Sequence, residues 1–241
     1  MLSSSTRVLI ALATYNEREN LAPLVQAIRA TIPTADVLIL DDNSPDGTGA
    51  AADALAAQDE NIHVIHRAGK LGLGTAILAL MRFAMDKNYD LLLTMDADFS
   101  HHPRYLPAIL NGMDQADVMI GSRYVPGGGV ENWPLSRRLM SRTTGQLVRF
   151  LLGMPARDTS GNYRCYRVSL LRHANLDNLL SRGYSFQQEV LWRLKREGCR
   201  FDETPILFVN RTKGSSKINL RESFRALGII ASLGGRNLLG K

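Results

Sequence analysis

Short apolar runs alternate with segments of helical periodicity through the first half of the chain. The runs span residues 8–12, 37–40, 62–65, 91–95 and 118–120, and apolar residues recur at helical spacing between them. Runs this short and this apolar are typical of strands that are buried on both faces. The alternation predicts an α/β fold, a mainly parallel sheet with helices on both faces. Ligands of such sheets bind beyond the carboxyl ends of the strands, so the polar residues after each run are the first candidates for a site.

Length and composition are those of an ordinary globular chain. The 241 residues are enough for a continuous core, and the apolar and charged shares are 45% and 22%. A disordered chain, a collagen-like chain and a small disulfide scaffold are thereby excluded. Cys165 and Cys199 stand outside any CxxC or Cys/His spacing. We expect them to be small core residues in a reducing compartment, with no zinc site.

Charge is divided unevenly along the sequence. Residues 1–136 carry 9 basic and 16 acidic side chains, a net charge of −7, whereas residues 137–241 carry 20 and 7, a net charge of +13. An acidic half suited to a metal is therefore joined to a basic half suited to phosphates. Nucleic acid, an anionic lipid surface and a plain solvated surface all fit the basic half. The motifs of RNA- and DNA-binding modules are absent, so we expect no nucleic-acid partner.

The sequence contains no segment that we expect to span a membrane. A span needs about 20 apolar residues, whereas the closest candidate, residues 226–235, has ten. The six apolar residues 8–13 are too few for a signal peptide. We therefore expect a cytoplasmic location.

The strongest local signal is the pair Asp96 and Asp98, which directly follows the apolar run 91–95. Two carboxylates at positions i and i+2 leave a strand end on the same side. There they can hold a hard cation such as Mg²⁺ or Mn²⁺, with open positions for diphosphate oxygens. An isolated pair of this kind is more often a cap or a surface turn, but a buried strand before it disfavours that interpretation.

Polar residues also follow the first two runs. Tyr15 and Glu17 come after the first run, and Asp41 and Asp42 end the second. The Asp41 carboxylate is suited to accept a hydrogen bond from the N–H edge of a nucleobase. Each of these groups alone is commonly a cap or a turn. Because three of the predicted strands end in such groups, the sequence predicts a ligand site beyond these strand ends.

Other segments bear on the organisation of the chain. The glycine-rich residues 69–74 match neither the dinucleotide fingerprint nor a Walker A loop, and we predict a helix N-cap there. Residues 126–129 are predicted to be a flexible loop that separates the two halves. Residues 206–209 are predicted to form another strand.

Residues 137–152 are predicted to form an amphipathic helix. One side holds Leu139, Thr143, Leu147, Phe150 and Leu151, and the arginines Arg138, Arg142 and Arg149 cluster opposite. Two interpretations are open. The helix lies at the headgroup level of a membrane with its arginines on lipid phosphates, or it packs its apolar stripe on the domain and leaves the arginines in water.

Taken together, the motifs resemble those of the family 2 glycosyltransferases of the GT-A fold, and among them the dolichyl (polyprenyl) phosphate mannose synthases. The matching segments, in family order, are residues 13–21, 41–48, 70–76, 95–103, 121–124, 158–161 and 211–217. A lone DxD motif is a weak signal, but this ordered series covers nearly the whole chain and is highly specific. The resemblance implies a single GT-A domain over residues 1–241. Its nucleotide-sugar and metal half ends at residue 125, and its acceptor and membrane-facing half spans residues 126–241.

The resemblance implies an inverting transfer of mannose from GDP-mannose to a polyprenyl (dolichyl) phosphate, with Mg²⁺ or Mn²⁺ as cofactor. The residues implied to bind the nucleotide sugar are Ala13, Tyr15, Glu17, Ile39, Asp41, Asp96, Ala97, Asp98, Arg123, Arg211 and Lys217. Those implied to be catalytic are Asp96, Asp98, Arg123, Arg211 and Lys217, with Asp96 and Asp98 on the metal. Those implied to meet the lipid phosphate are Arg123, Arg137 and Ser141. Ala13 replaces the proline usual in the family, and Ser100 stands where some relatives place a glutamine on the metal.

The chemistry of such an acceptor agrees with the residues present. A phosphate monoester has a second pKa of about 6, so it is substantially ionised near neutral pH and is already a nucleophile. No dedicated general base is required, and none of the five histidines need be catalytic. The protein must instead stabilise the leaving nucleotide and orient the acceptor phosphate.

Some members of this family carry transmembrane helices after the catalytic domain, whereas this sequence resembles the type without them. The resemblance therefore implies a peripheral enzyme at the cytoplasmic face of a membrane, in contact with the lipid surface or with a small membrane subunit. Two alternatives stay open, a polyprenyl phosphate glucosyl- or aminosugar transferase on the same fold and a nucleotide-sugar-binding subunit without turnover. The intact set of implied catalytic residues argues against the second.

Arg211 and Lys217 are implied to lie on a mobile loop that closes over the nucleotide. Residues 213–217 have little to bury, so we expect this loop to be mobile without ligand and ordered by GDP with a metal. The alternative is a static surface turn. Hydrogen exchange of residues 211–219 distinguishes the two, because only a closing loop gains protection when GDP and Mg²⁺ are added.

Overall fold

A seven-stranded sheet lies at the centre of the protein. The computed structural model describes residues 5–181, 183, 185–210 and 220–238. The strands of this sheet are β1 (Val8–Thr14), β2 (Asp36–Asp41), β3 (Ile62–His66), β4 (Leu91–Asp96), β5 (Val118–Ser122), β7 (Arg164–Arg167) and β8 (Phe201–Pro205). Their order is β3-β2-β1-β4-β7-β5-β8. Of these strands only β7 runs antiparallel to its neighbours, so the prediction of a mainly parallel sheet is confirmed.

Helices cover both faces of the sheet. They are α1 (Arg18–Thr31), α2 (Thr48–Ala56), α3 (Leu73–Asp86), α4 (Leu106–Gly112), α5 (Leu135–Leu152), α6 (Val168–Leu171), α7 (Phe186–Arg196) and α8 (Leu220–Leu238). Residues of α1, α2 and α4 enter one core, and residues of α3 and α5 to α8 enter the other. Alternate residues of a strand serve opposite cores, as Ile39 and Leu40 of β2 do. This explains why the strand sequences are continuously apolar.

The glycine-rich segment 126–129 differs from its prediction as a flexible loop. Gly127 has a positive φ of 84°, and a Cβ on Gly128 would lie 2.5 Å from the carbonyl oxygen of Ser122. The segment leads into β6 (Gly129–Glu131), which pairs in parallel with β9 (Leu207–Val209). The glycines are therefore required by a tight, closely packed turn. The predicted strand 206–209 corresponds to β9.

Helix α5 confirms the helix predicted over residues 137–152 and fixes which face packs. Val148 and Leu152 are fully buried, whereas the opposite face leaves these apolar side chains 45–84% exposed: Leu135, Leu139, Met140, Leu147 and Phe150. Leu151 alone of the predicted stripe packs against the core. The interpretation in which the stripe packs on the domain is therefore wrong. Within the described residues, no helix combines the length and apolarity needed to cross a membrane.

Candidate functional site

Three neighbouring strands, β1, β2 and β4, end at the same edge of the sheet. Their register places Thr14 beside Asp41 and Ala13 beside Asp96. A residue with left-handed backbone geometry follows each strand: Asn16, Asn43 and Phe99, with φ angles of 62°, 56° and 60°. This geometry is mild for asparagine but costly for an aromatic residue. The sharp turns leave the strand ends open at this edge.

A cavity of about 280 Å³ lies over these strand ends. Its lining residues are Ala13, Glu17, Leu73, Asp96, Ala97, Asp98, Ser100, Arg137, Phe208 and Asn210. Six of them are predicted site residues from three separate parts of the sequence. The fold therefore brings the DxD carboxylates together with a guanidinium in one cavity.

The DxD segment is held by a dense set of hydrogen bonds. Asn162 Nδ2 donates to Asp96 Oδ1 at 3.1 Å, and the backbone N–H of Asp96 donates to His101 Nδ1 at 3.0 Å. The backbone N–H of Ser100 donates to Asp98 Oδ1 at 3.0 Å. One third of the Asp96 side chain stays exposed, which leaves this carboxylate accessible from the cavity.

His101 is a buried and neutral support for this segment. Burial lowers its pKa, and this effect outweighs the opposing influence of the Asp96 carboxylate. Its Nδ1 accepts the Asp96 N–H bond, so the ring proton of the neutral side chain is on Nε2. The ring also packs on Tyr163 and Phe208. The contacts of His101 are those of a structural residue.

The donor set fits a hard divalent cation. Asp96 and Asp98 both line the cavity, and carboxylate oxygens are the ligands that Mg²⁺ and Mn²⁺ prefer. Among the described residues, no group of three or more His, Cys, Asp and Glu side chains is placed to hold a metal. Two protein carboxylates are suited to a cation that takes its other ligands from a diphosphate and water.

The residues predicted to hold the nucleoside are distributed differently. Asp41 is buried, and its carboxylate accepts hydrogen bonds from Thr14 Oγ1 and from the N–H and hydroxyl of Ser44. Tyr15 lies under the ammonium of Lys70, 4.2 Å from Nζ to the ring centroid. Ile39 is fully buried in the core. The structure thus brings Glu17 into the cavity and does not bring the Ile39 side chain there.

Arg123 follows β5 and is locked to a buried carboxylate. Its Nε and Nη2 donate to the two oxygens of Asp158, each at 2.7 Å, and Nη2 also donates to Ser160 Oγ. Burial by itself raises the pKa of Asp158, but the guanidinium outweighs burial and brings that pKa down to about 2. The pair is therefore ionised throughout the neutral pH range.

Arg137 and Ser141 lie one turn apart on α5 and have different partners. The Arg137 guanidinium stands 4.0 Å above the Trp133 ring, and its Nη1 is 3.3 Å from Asn210 Oδ1. The Ser141 hydroxyl is 2.6 Å from the hydroxyl of Tyr124. Arg137 thus belongs to the cavity over the strand ends, whereas Ser141 is held beside Tyr124.

A second cavity, of about 160 Å³, has a lining without carboxylates. Its residues are Arg123, Tyr124, Gly129, Val130, Arg138 and Arg142. Arg138 and Arg142 make it attractive to an anion, since Asp158 already balances the charge of Arg123. The residues implied for the lipid phosphate are therefore divided between two cavities. The implied site residues Arg211 and Lys217 lie outside the described part of the chain.

A sequence model of the family described as Glycosyl transferase family 2 matches residues 9–174 of the chain. The chain belongs to this family. The matched region contains β2 to β5, all of β1 except Val8, the DxD segment and the Arg123–Asp158 pair. The protein is thus a family 2 glycosyltransferase, as its motifs predicted.

This glycosyltransferase has close relatives in two bacteria. It is 46% identical over 213 residues to an undecaprenyl-phosphate mannosyltransferase of Micrococcus luteus, covering 88% of each chain. It is 45% identical over 222 residues to a polyprenol monophosphomannose synthase of Mycolicibacterium smegmatis, covering 90% of this chain and 84% of the relative.

Solved structures of lower identity share the fold. A glucosyl-3-phosphoglycerate synthase of Mycobacterium tuberculosis, in complex with phosphoglyceric acid, has a TM-score of 0.67 at 15% identity and covers 96% of this chain and 81% of its own. The mannosyltransferase PcManGT of Pyrobaculum calidifontis, in complex with GDP-Man and Mn²⁺, has a TM-score of 0.63 at 14% identity, with 98% and 64% covered. The fold of this glycosyltransferase is therefore of the GT-A type.

Several residues at the site of this glycosyltransferase were not predicted from its sequence. Leu73, Phe208 and Asn210 line the cavity over the strand ends, and Asn162 contacts Asp96. Asn210 directly precedes Arg211, so its position beside an implied phosphate ligand was an available signal. Asn162 had no comparable signal, because only the tertiary fold brings it to a carboxylate 66 positions away.

Proposed function

We propose that this glycosyltransferase transfers mannose from GDP-mannose to a polyprenyl phosphate, with inversion at the anomeric carbon. The proposal rests chiefly on one observation, the presence of Asp96, Asp98 and Arg137 in a single cavity. The carboxylates suit a cation and a leaving diphosphate, and the guanidinium suits an incoming phosphate. Relatives at 45–46% identity that are named for polyprenyl-phosphate mannosyl transfer support the choice of sugar and acceptor.

On the donor side, the strand ends position the nucleotide sugar. Asp96 and Asp98 would hold Mg²⁺ or Mn²⁺, which when bound neutralises charge on the departing diphosphate. Tyr15, Glu17 and Asp41 stand along the same edge for the nucleoside. The hydrogen bonds of Asp41 already hold its side chain rigidly. We therefore propose that Asp41 orients the nucleobase of the donor.

On the acceptor side, the reaction needs orientation more than proton transfer. A phosphate oxygen of the acceptor attacks the anomeric carbon while the bond from that carbon to GDP breaks on the other side, so a single displacement inverts the configuration. Arg137 orients the acceptor phosphate with charge-assisted hydrogen bonds. His101 is buried and neutral with its Nδ1 occupied, which agrees with a mechanism that lacks a histidine base.

We further propose that the enzyme works at the cytoplasmic surface of a membrane, directly or with a small membrane subunit. The acceptor carries a long hydrocarbon chain that water excludes. Helix α5 supplies Arg137 to the cavity and turns the exposed side chains of Leu139, Leu147 and Phe150 outward. An apolar face beside a phosphate site suits a lipid whose headgroup enters the protein and whose chain stays in the bilayer.

A radiolabelled sugar-transfer assay tests the proposal. The chain is incubated with polyprenyl phosphate and Mn²⁺ and with GDP-mannose, GDP-glucose, UDP-glucose or UDP-N-acetylglucosamine in turn. We expect lipid-phase label from GDP-mannose only, and none when neutral polyprenol replaces the phosphate. Preferred transfer from another donor would make the protein a different polyprenyl phosphate glycosyltransferase. Nucleotide-sugar binding without transfer from any donor would make it a binding subunit.

A further inference from the structure

A chain of buried polar side chains runs from the core to the DxD carboxylate. It begins at Arg164 of β7, which contacts Gln187 of α7. Gln187 contacts Asn162, in the loop before β7, and Asn162 contacts Asp96 at the end of β4. The three supporting side chains are 0–6% exposed. We propose that Asn162 and Gln187 are positioning residues that fix the Asp96 carboxylate for donor binding. The inference rests on the proposed function, in which Asp96 holds the cation of the nucleotide sugar.

The direction of every hydrogen bond in this chain follows from the arginine at its end. Arg164 only donates, so Gln187 must turn Oε1 toward Arg164 Nη1, at 2.8 Å. The Gln187 amide nitrogen then donates to Asn162 Oδ1 at 2.7 Å. The Asn162 amide nitrogen is left to donate to Asp96 Oδ1 at 3.1 Å. The buried charge thus sets the orientation of two amides and presents a donor to the carboxylate.

Asn162 is itself fixed to the strand that carries Asp96. Its backbone carbonyl accepts a hydrogen bond from Thr94 Oγ1 at 2.8 Å, and Thr94 lies two residues before Asp96 on β4. Asn162 therefore holds β4 at two points, one through its backbone and one through its side chain. This double contact restricts the Asp96 carboxylate in position and in rotation.

Burial of Arg164 at this place is energetically unfavourable. The side chain is fully buried, and its Nε and Nη2 have no hydrogen-bond partner among the described residues. Unpaired buried donors are disfavoured, so an apolar residue would suit the core better if packing were the only requirement. Its charge lies close enough to Asp158 to help lower the pKa of that carboxyl, but its side-chain hydrogen bonds go to Gln187. Orientation of the Gln187 and Asn162 side-chain amides accounts for an arginine at this buried position.

This chain of hydrogen bonds leaves the rest of the Asp96 carboxylate available to the cavity. Oδ1 receives the Asn162 donor, and the backbone of Asp96 is fixed by His101. Residues that support a ligand in this way typically change metal affinity by about 10- to 100-fold when they are replaced. We therefore expect loss of Asn162 or Gln187 to weaken binding of the metal–nucleotide complex without unfolding the protein.

Gln187→Glu is the most informative variant, because it preserves the side-chain volume and reverses the donor and acceptor roles along the chain of hydrogen bonds. The new carboxylate accepts from Arg164, and as an ion pair it maintains or raises thermal stability. It cannot donate to Asn162, so the Asn162 amide turns its nitrogen toward this carboxylate and its oxygen toward Asp96. Two facing oxygens would displace the Asp96 carboxylate. This variant should therefore keep its thermal stability and lose affinity for the metal–nucleotide complex. If Gln187 had a purely structural role, the affinity would stay unchanged as long as the stability is maintained.

Isothermal titration of the whole chain with GDP in the presence of Mn²⁺ measures the effect. We expect Gln187→Glu and Asn162→Leu to bind GDP with Mn²⁺ about tenfold or more weakly than wild type. Val148→Ala, a core substitution on α5, lowers thermal stability and leaves the affinity unchanged. Affinities within twofold of wild type in both test variants would overturn the inference.

Asp96→Asn separates failure of this inference from failure of the proposed function. If wild type binds GDP with Mn²⁺ and Asp96→Asn does not, while Gln187→Glu binds normally, only the positioning role is wrong. If Asp96→Asn binds as well as wild type, the assignment of Asp96 to the cation fails, and the positioning role fails with it.

Discussion

At the scale of single residues, the turn after β4 is the most constrained part of the site. Phe99 has a φ angle of 60°, a conformation that is unfavourable for an aromatic residue and is maintained only by its surroundings. The Ser100 N–H to Asp98 hydrogen bond closes this turn. The turn thereby directs two carboxylates into one cavity, as the spacing of Asp96 and Asp98 predicted.

The first prediction concerns Asp98. Asp98→Asn removes one charge from the proposed cation site and weakens stabilisation of the leaving nucleotide, so turnover falls by about two orders of magnitude or more. Steady-state transfer assays with Mg²⁺ measure the change. Asp86→Asn, an exposed position at the end of α3, is the matched control and keeps wild-type turnover. Near-normal activity of Asp98→Asn would show that the DxD pair is structural.

The second prediction concerns acid stability. The pKa of Asp158 is about 2 in the folded protein, against an ordinary value of 3.8. As the pH falls from about 4 to 2, the unfolded chain takes up this proton first, so stability decreases by about 2 kcal/mol. Asp117, whose pKa the hydrogen-bonded Arg200 also holds at about 2, acts in the same direction. Above about pH 5 both contributions are complete.

Urea unfolding at a series of acidic pH values tests this sign. Asp158→Asn should show a smaller loss of stability on acidification, with the contribution of Asp117 remaining. It should also be less stable than wild type at neutral pH by about 3–5 kcal/mol, since Arg123 stays buried without its counter-ion. An unchanged pH dependence in this variant would contradict the shifted pKa of Asp158.

At the scale of elements, α5 divides its surface between protein and surroundings. Val148 and Leu152 face the core, and the side of the helix that points away carries exposed leucines and Phe150. Such a face is costly in water, and a membrane surface is a natural environment for it. Helical periodicity identifies both faces but does not say which one the rest of the protein covers.

The third prediction follows from this face. Replacing Leu139, Leu147 and Phe150 with serine removes side chains that each contribute about 1.5–3 kcal/mol when fully buried. At a membrane surface we expect only partial burial, about 1 kcal/mol for each side chain, so the vesicle partition coefficient should fall by about two orders of magnitude with folding stability nearly unchanged. Val148→Ala is the control on the opposite face, and it destabilises the fold without affecting vesicle binding. Wild-type sedimentation by the triple variant would place the membrane contact elsewhere.

The strands show how far sequence alone reaches. β1 to β5 were predicted because both of their faces are buried, so their sequences are continuously apolar. β7 was not, since Arg164 and Arg167 interrupt its apolar pattern, although Arg164 is fully buried. β8 was missed because it is a partly exposed edge strand with two acidic residues. The local sequence pattern therefore predicts a strand only where the buried residues of that strand are also the apolar ones.

The site shows the same limit. Asp96, Asp98 and Glu17 were predicted because they follow apolar strands, and parallel strands deliver their ends to one edge. Asn162 and Gln187 reach the site through a loop and a helix much later in the sequence, and their role depends on hydrogen-bond direction in three dimensions. The Arg123–Asp158 pair combines two predicted motifs, but its burial became apparent only in the structure.

At the scale of the whole molecule, charge is arranged in two unequal parts. Residues 1–136 have a net charge of −7 and residues 137–241 a net charge of +13. The acidic part contains the DxD carboxylates, whose charge suits a cation. The basic part contains α5, whose Arg138 and Arg142 line the second cavity. This division along the sequence suits an enzyme that binds both a metal-bound donor and an anionic lipid.

The last prediction separates charge from apolar contact at that surface. Each basic residue near an anionic membrane contributes about 1 kcal/mol, so Arg138, Arg142 and Arg149 together give reversible binding. Wild type should sediment with anionic vesicles at low salt and be released at high salt, where the Debye length shortens to about 3 Å at 1 M. Replacing the three arginines with glutamine should abolish this salt-sensitive binding and leave GDP affinity unchanged. Binding that survives both this replacement and that of Leu139, Leu147 and Phe150 would move the contact to residues 227–233 or to a separate membrane subunit.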